Sequence, residues 1–114
     1  MSWLAHHTLS EEYANKAEEH SKRQEAAQAI DLYRLAAEAE LKALEAIESG
    51  KNRTLGITAL SAASLYYKAQ DFAQAKKIAY KWLASDLLPP FSVEALEDLL
   101  QVILQDRACV ESRA

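Results

Sequence analysis

Residues that interrupt helices are rare in this chain, which has only two glycines and two prolines among its 114 residues. Gly50 and Gly56 are well separated from the proline pair, Pro89 and Pro90. Because helix interiors tolerate glycine and proline least, long segments of the chain are free to be helical. Half of the residues are hydrophobic and 26% are charged, which is typical of a globular protein. The sequence therefore predicts an all-α fold of about five antiparallel helices, in one domain spanning residues 1–114.

The first helical hairpin is predicted over residues 10–49, after an N-terminal arm formed by residues 1–9. Thr8 or Ser10 is suited to cap its first helix, because the glutamates that follow favour the positive end of a helix dipole. The polar stretch 18–25 then interrupts the apolar pattern. It is either a turn between two helices or the exposed middle of one long helix, and the internal repeat described below favours the turn.

The second helix of this hairpin has a strong helical periodicity, since apolar residues recur at steps of three and four between residues 26 and 49. Gly50 is positioned to end that helix. A second hairpin is predicted over residues 53–88, with its turn at Gln70 and Asp71. The Asp71 carboxylate can accept a hydrogen bond from the first N–H groups of the following helix, so Asp71 is the predicted N-cap.

The two adjacent prolines end the second hairpin, and a C-terminal capping helix is predicted over residues 92–108. Ser92 is positioned as its N-cap, and Phe91 and Leu96 have the spacing of a hydrophobic staple. The helix is strongly apolar on one face, which suits it to cover the end of the second hairpin. The tail from Arg107 onward is expected to fray.

The second hairpin carries a family resemblance in the stretch SLYYKAQDFAQAKKIAYKWLASDLLPP. A small residue, an aromatic residue three positions later and an alanine nine positions beyond it are supplied by Ala63, Tyr66 and Ala75. This pattern resembles the tetratricopeptide repeat, a helix–turn–helix unit of about 34 residues. The family next expects an aromatic residue and then a small one, whereas Ala79 and Trp82 stand in the reverse order. The resemblance implies a fold of stacked helical hairpins.

The first hairpin repeats this pattern more faintly. A histidine replaces the aromatic residue, and the matching positions are Ala17, His20, Ala29, Tyr33 and Ala36. The corresponding alanines of the two units, Ala29 and Ala75, are 46 residues apart, which is longer than the family's repeat. The second helix of the first unit is therefore expected to be extended.

The resemblance implies a binding surface, because the first helix of each such unit lines the concave side of the stack. Ser61, Ser64, Tyr67 and Lys68 recur at steps of three and four on that helix of the second unit. Small hydroxyls, one aromatic ring and one cation could hold a peptide. The alternative is that Tyr67 packs internally and the serines allow close helix approach. The family's clamp for a terminal carboxylate uses Asn with Lys or Arg, so serines do not support it here.

A second candidate surface is basic. Lys76, Lys77 and Lys81 follow on the next helix, within residues 51–90, which carry six bases and two acids. Residues 1–50 instead carry ten acids and five bases. The lysines could recognise an acidic partner, or they could form an ordinary solvated face beside the protein's own acidic helices.

No catalytic, cofactor-binding or metal-binding residues are predicted. His6, His7 and His20 lack a familiar zinc spacing, so His6 and His7 are interpreted as an exposed pair near the N-terminus. Cys109 has no base beside it in the sequence and is interpreted as an inert thiol. Neither glycine belongs to a phosphate-binding loop. Trp3 and Leu4 are expected to anchor the arm on the core or to pack against another chain.

A non-catalytic protein–protein interaction module is therefore the predicted function, as an adaptor or accessory subunit that binds a peptide or partner protein. A first alternative is a structural homodimer, formed where the apolar helix faces of residues 30–47 and 96–104 meet their copies. A second is a helical RNA-associated protein or RNase. The net charge of −4 and the lack of any Arg followed by His disfavour that alternative.

No cofactor, nucleic acid or membrane partner is predicted. The single cysteine suits a reducing compartment, and no apolar run approaches the roughly 20 residues that cross a bilayer. The first residues lack the basic and apolar regions of a signal peptide. The expected location is the cytoplasm.

Overall fold

The computed structural model describes residues 2–113, with the side chains of residues 2–106, and shows an all-α protein. The prediction of about five helices is confirmed. They are α1 (Trp3–Lys22), α2 (Ala26–Glu45), α3 (Asn52–Lys68), α4 (Phe72–Leu83) and α5 (Pro90–Arg113). Within the described residues, none of these helices combines the length and the apolarity needed to cross a bilayer.

Each helix packs against its neighbour along the chain, so that α1 contacts α2, α2 contacts α3, and α3 contacts α4. The last helix, α5, contacts both α3 and α4 and so lies across the second hairpin. The polar stretch 18–25 holds the end of α1 and a turn, and residues 10–48 therefore form parts of two helices. The molecule measures 43 × 29 × 18 Å along its principal axes.

The two hairpins turn in the same way. Gln24 and Gln70 occupy the left-handed region, at φ of 61° and 60°. In each turn the next residue donates its backbone N–H to the carbonyl oxygen five positions earlier, over 2.9 Å. This is the hydrogen-bond pattern of a Schellman helix end. Asp71, which follows Gln70, accepts a hydrogen bond from the Gln74 N–H at 3.2 Å, in the N-cap role that the sequence predicts. The two turns are 46 positions apart, as are Ala29 and Ala75.

The core is built largely from small side chains. Seven alanines of α2, α3 and α4 belong to one buried cluster, with an aliphatic and aromatic filling that includes Leu44, Tyr66, Ile78, Leu96 and Ile103. Gly56 has the same role where α3 meets the start of α5. A Cβ at this position would lie 3.0 Å from both Pro89 Cδ and Ser92 Cβ, which is closer than side chains pack. Small residues therefore set the distances between these helices.

The predicted N-terminal arm is wrong, because α1 already begins at Trp3. Ser2 is its N-cap and accepts a hydrogen bond from a backbone N–H three residues later. Thr8 and Ser10 lie inside the helix, and Ser10 is buried with its hydroxyl donating to the Ala36 carbonyl at 2.8 Å. Ser2 thus caps the first turn of α1 locally, and Trp3 adds tertiary contacts there, since its Nε1 donates to Thr58.

The predicted end of the second helix is also wrong. α2 ends at Glu45, four residues before the predicted limit at residue 49. Ile47, just beyond the helix, packs against the core. Gly50 does not end the helix but has φ of 91° in the connection to α3, where a left-handed residue is needed.

The start of α5 differs from its prediction in two respects. The helix begins at Pro90, because proline is well suited to the first helical position, where its missing N–H has no partner to lose. Ser92 is therefore not an N-cap; it is fully buried, and its hydroxyl donates to the Pro89 carbonyl at 2.9 Å. Phe91 is 42% exposed beneath the Arg53 guanidinium, so it forms no staple with Leu96.

The end of α5 lies beyond the predicted limit at residue 108. The helix continues to Arg113, and the expected fraying from Arg107 stays a prediction. The side chain of Cys109 lies outside the described residues, so its interpretation as an inert thiol stays a prediction.

Candidate functional site

A groove runs between α2 and α4 and is formed by two adjoining cavities of about 180 and 350 Å³. We name it the α2–α4 groove, with a narrow part and a wide part. The two parts share four residues, Leu44 and Glu45 of α2 with Lys81 and Trp82 at the end of α4. The narrow part adds Leu41, Gln74, Lys77 and Ile78. The wide part continues over the α2–α3 connection and adds, among others, Ile47, Glu48, Lys51, Leu55 and Leu87.

Trp82 is the central side chain of this groove. Its ring is half-buried against the core and lines both parts. The Lys81 ammonium lies 5.3 Å from the ring centroid, within the range of a cation–π contact. The neighbouring position at which the repeat pattern expects an aromatic residue is Ala79, which is fully buried. The exchange of large and small residues noted in the sequence therefore places the large ring at the groove and the small side chain in the core.

The charges of the groove are distributed unevenly. Lys77 and Lys81 are exposed one helical turn apart on α4, and in the described part of the chain no carboxylate oxygen lies within 4.0 Å of either ammonium. The narrow part holds these two lysines and one acid, Glu45. The wide part is balanced, since Lys51 and Lys81 are matched there by Glu45 and Glu48. The narrow part is therefore the basic end of the groove.

The groove adjoins, at its wide part, a further cavity of about 400 Å³. This cavity lies between the start of α1 and the α2–α3 connection, where Trp3, Leu4 and Thr54 line it. Glu48 and Lys51 are the charged residues that line this cavity, and both also line the wide part. Leu4, which lines the cavity as well, is 62% exposed.

The predicted binding residues on α3 do not form one surface. The Tyr67 hydroxyl donates to the Asp106 carboxylate of α5, and its ring packs 5.8 Å from the ring of Phe72. The hydrogen bond to Asp106, together with burial and the nearby negative charge, raises the pKa of Tyr67. Tyr67 therefore holds α5 against the second hairpin, which agrees with the alternative of internal packing.

Lys68, the next residue, points to a different neighbour. Its ammonium lies 5.7 Å from the ring centroid of Tyr33 in α2. Ser61 and Ser64 are half-buried, and so is Lys76, which does not line the α2–α4 groove. Of the predicted binding residues, the groove brings together only Lys77 and Lys81.

A polar cluster that the sequence analysis missed lies where α1 packs on α2 and α3. His7 Nδ1 lies 3.0 Å from Glu40 Oε1, and His7 Nε2 lies 3.0 Å from Glu11 Oε1. The Trp3 ring stacks on the imidazole, with 4.8 Å between centroids and 8° between planes, and the Trp3 Nε1 donates to Thr58 Oγ1 at 3.0 Å. The cluster ties α1 to α2 and α3.

The interpretation of His7 as an exposed histidine is therefore wrong, since its side chain is 25% exposed and bonded on both nitrogens. Burial lowers the pKa of His7, but the hydrogen bonds and charges of Glu40 and Glu11 outweigh this effect, and the pKa is raised. Glu40, at 1% exposure, lies on the core-facing stripe of α2, with Ala36 and Ala37 before it. A glutamate at a position that the helical periodicity places on the buried face was the sequence signal for a buried ion pair. Among the described residues no group of three or more His, Cys, Asp or Glu is arranged to hold a metal ion.

Comparison of the chain with protein-family models, with curated proteins and with solved structures finds no match to it.

Proposed function

We propose that the chain is a non-catalytic protein–protein interaction module, an adaptor or accessory subunit, which binds a peptide or partner protein in the α2–α4 groove. The observation that carries this proposal is the half-buried Trp82 between apolar walls, beside Lys77 and Lys81, which have no ion-pair partner among the described side chains. Tryptophan concentrates binding energy at protein interfaces when its pocket excludes water. An accessible ring with cations at its edge therefore suits recognition.

Catalysis is not part of this proposal. Among the described residues, the cluster of His7, Glu11 and Glu40 is the group of titratable side chains that most resembles a catalytic site. Both nitrogens of His7 are engaged by carboxylates, and Trp3 covers one face of its ring. A general base needs a free nitrogen within reach of a substrate, so this cluster is better suited to joining helices.

The proposal extends to the type of repeat and the location. The two hairpins are interpreted as tetratricopeptide-like units, and the matching left-handed turns at Gln24 and Gln70 support this interpretation. The single cysteine supports a cytoplasmic location. The acidic net charge favours a protein partner over a nucleic acid.

The apolar helix faces considered for a homodimer offer less surface than their sequence suggests. Leu44, Leu96, Leu100 and Ile103 are buried within the protein. Leu35, Val102 and Leu104 remain between 41% and 50% exposed, and they are separated single positions. Binding to a different protein is therefore the function that we propose.

The test is capture of partners from the lysate of the native host by the immobilised protein, followed by direct binding of the recovered partner in purified form. The groove variant combines Lys81→Glu with Leu87→Glu, and its matched control combines Lys22→Glu with Leu104→Glu. Both variants change the charge equally, and Leu87 and Leu104 are similarly exposed, at 48% and 50%. We expect the groove variant alone to lose a partner that wild type retains. A partner lost by both variants, or by neither, contradicts the proposed site.

A further inference from the structure

We infer that the α2–α4 groove accepts a short acidic segment of a partner protein, in which a carboxylate side chain lies close to a bulky apolar side chain. This inference rests on the proposed function and names the chemistry of its ligand. The narrow part of the groove would bind the carboxylate, and the wide part the apolar side chain. Two separate observations lead to this division.

The first observation is the state of the two lysines. Lys77 and Lys81 lie one turn apart on the same face of α4, so their ammonium groups can reach one anion or two successive ones. Within the described residues neither is neutralised by a carboxylate within 4.0 Å, although Glu45 lines the same cavity. Two cations against one acid leave this part of the groove with a positive balance. A carboxylate is the protein side chain that complements it.

The second observation is the size and lining of the wide part. Its volume of about 350 Å³ is bounded by Ile47, Leu55, Trp82 and Leu87. The charges there are balanced, so that burial of apolar surface is the available source of affinity. Aromatic side chains bury the most surface per residue and prefer offset or edge-to-face packing against another ring, which Trp82 offers.

The two parts also fix the direction and the length of the ligand. Glu45, on the α2 wall, repels an acidic side chain and leaves the α4 wall as the place where it binds. Gln74 and Trp82 are eight positions apart, which corresponds to about 12 Å along a helix. An extended peptide spans that distance with about four residues. The carboxylate and the apolar side chain are therefore expected within about four positions of each other.

The test begins with a random heptapeptide library displayed on phage and selected on the wild-type protein. Selected peptides are synthesised with a fluorescein label and titrated by fluorescence anisotropy at low ionic strength. The binding variant is Lys77→Glu with Lys81→Glu. Its control is Lys16→Glu with Lys22→Glu, which gives the same net charge through exposed positions on α1. Thermal melting of both variants near the wild-type temperature establishes that they fold.

We expect the selected peptides to share an acidic residue within about four positions of an aromatic or leucine residue. Replacing that acid by its amide should weaken affinity about tenfold, because the attraction between the carboxylate and the two lysines is lost. The binding variant should weaken affinity by at least as much, because its glutamates repel the carboxylate. The control should change it less than about twofold, and added salt should weaken wild-type binding toward the level of the variant.

Three outcomes would overturn the inference. In the first, the selected peptides lose binding to the Lys81→Glu, Leu87→Glu variant, but they contain no acidic residue or bind the Lys77→Glu, Lys81→Glu variant as tightly as wild type. This result would show that the groove binds a ligand of different chemistry. The proposed function then stands. A dimer in solution that the groove variant abolishes identifies a second copy as the ligand. If no peptide depends on the groove and no captured partner does either, the inference and the proposed function both fail.

Discussion

At the scale of single residues, His7 shows how a charge is used inside this protein. One nitrogen of the ring faces the buried carboxylate of Glu40 and the other faces Glu11 on the same helix. Trp3 covers the ring and reaches Thr58 of α3 with its own N–H. Three helices therefore meet around an imidazole that is favoured in its charged form.

We expect this cluster to make stability depend on pH. The pKa of His7 is raised above its ordinary value of 6.5, so its contribution is fully present below about pH 6.5 and is lost as the pH rises through the raised pKa. Thermal unfolding of wild type and His7→Gln from pH 5 to pH 9 measures it. The difference between them should narrow as the pH rises.

His6→Gln is the control for this experiment, because His6 precedes His7 on the same helix and has neither of its ion pairs. A difference between wild type and His7→Gln that stays constant across the pH range would show that the charge of His7 does not contribute.

At the scale of helices, Gly56 marks a close approach between α3 and the start of α5. We expect Gly56→Ala to lower the free energy of unfolding by about 1–3 kcal/mol, because the new Cβ pushes α3 away from Pro89 and Ser92. The better helix propensity of alanine, about 1 kcal/mol, acts in the opposite direction. Urea unfolding measures the result. Adding Ser92→Gly removes part of the clash and should restore some stability; no recovery would locate the strain elsewhere.

The turns of the two hairpins lead to a stabilising prediction. Gln24 and Gln70 are exposed non-glycine residues in the left-handed region, which is costly for side chains with a Cβ. We expect Gln24→Gly and Gln70→Gly each to raise the free energy of unfolding by about 0.5–1 kcal/mol, and their effects to add. Gln101→Gly is the matched control.

Gln101 is also exposed but lies inside α5, where glycine should be destabilising by about 1 kcal/mol. Chemical denaturation of the three variants distinguishes the two environments. Destabilisation of either turn variant would show that its glutamine makes a contribution beyond the backbone.

The helices could be predicted from the sequence because their signals are local. Apolar residues at steps of three and four identify α2, and Asp71 marks the start of α4. Two errors missed a local signal, since Ser2 caps α1 and Pro90 begins α5. Other features depend on distant residues, as where Trp3 in the first turn of α1 donates to Thr58, 55 positions away. Likewise the spacing of Lys77 and Lys81 predicts that they share a face of one helix. It does not predict the groove, because Leu41 on the opposite wall lies more than 30 residues earlier in the chain.

At the scale of the whole molecule, the helices form a thin slab. Its smallest dimension, 18 Å, corresponds to about two helix layers. The accessible surface is 7091 Å², compared with roughly 6,200 Å² for a typical protein of this mass. Such a shape presents a large surface for its size, which is consistent with the proposed binding function.

The position of α5 has a consequence for the stability of the second hairpin. α5 contacts both α3 and α4, and its Leu96 and Ile103 are fully buried in the same cluster as residues of those two helices. The second hairpin and α5 therefore share one core, so that a change which loosens α5 is expected to expose apolar surface of α3 and α4 together.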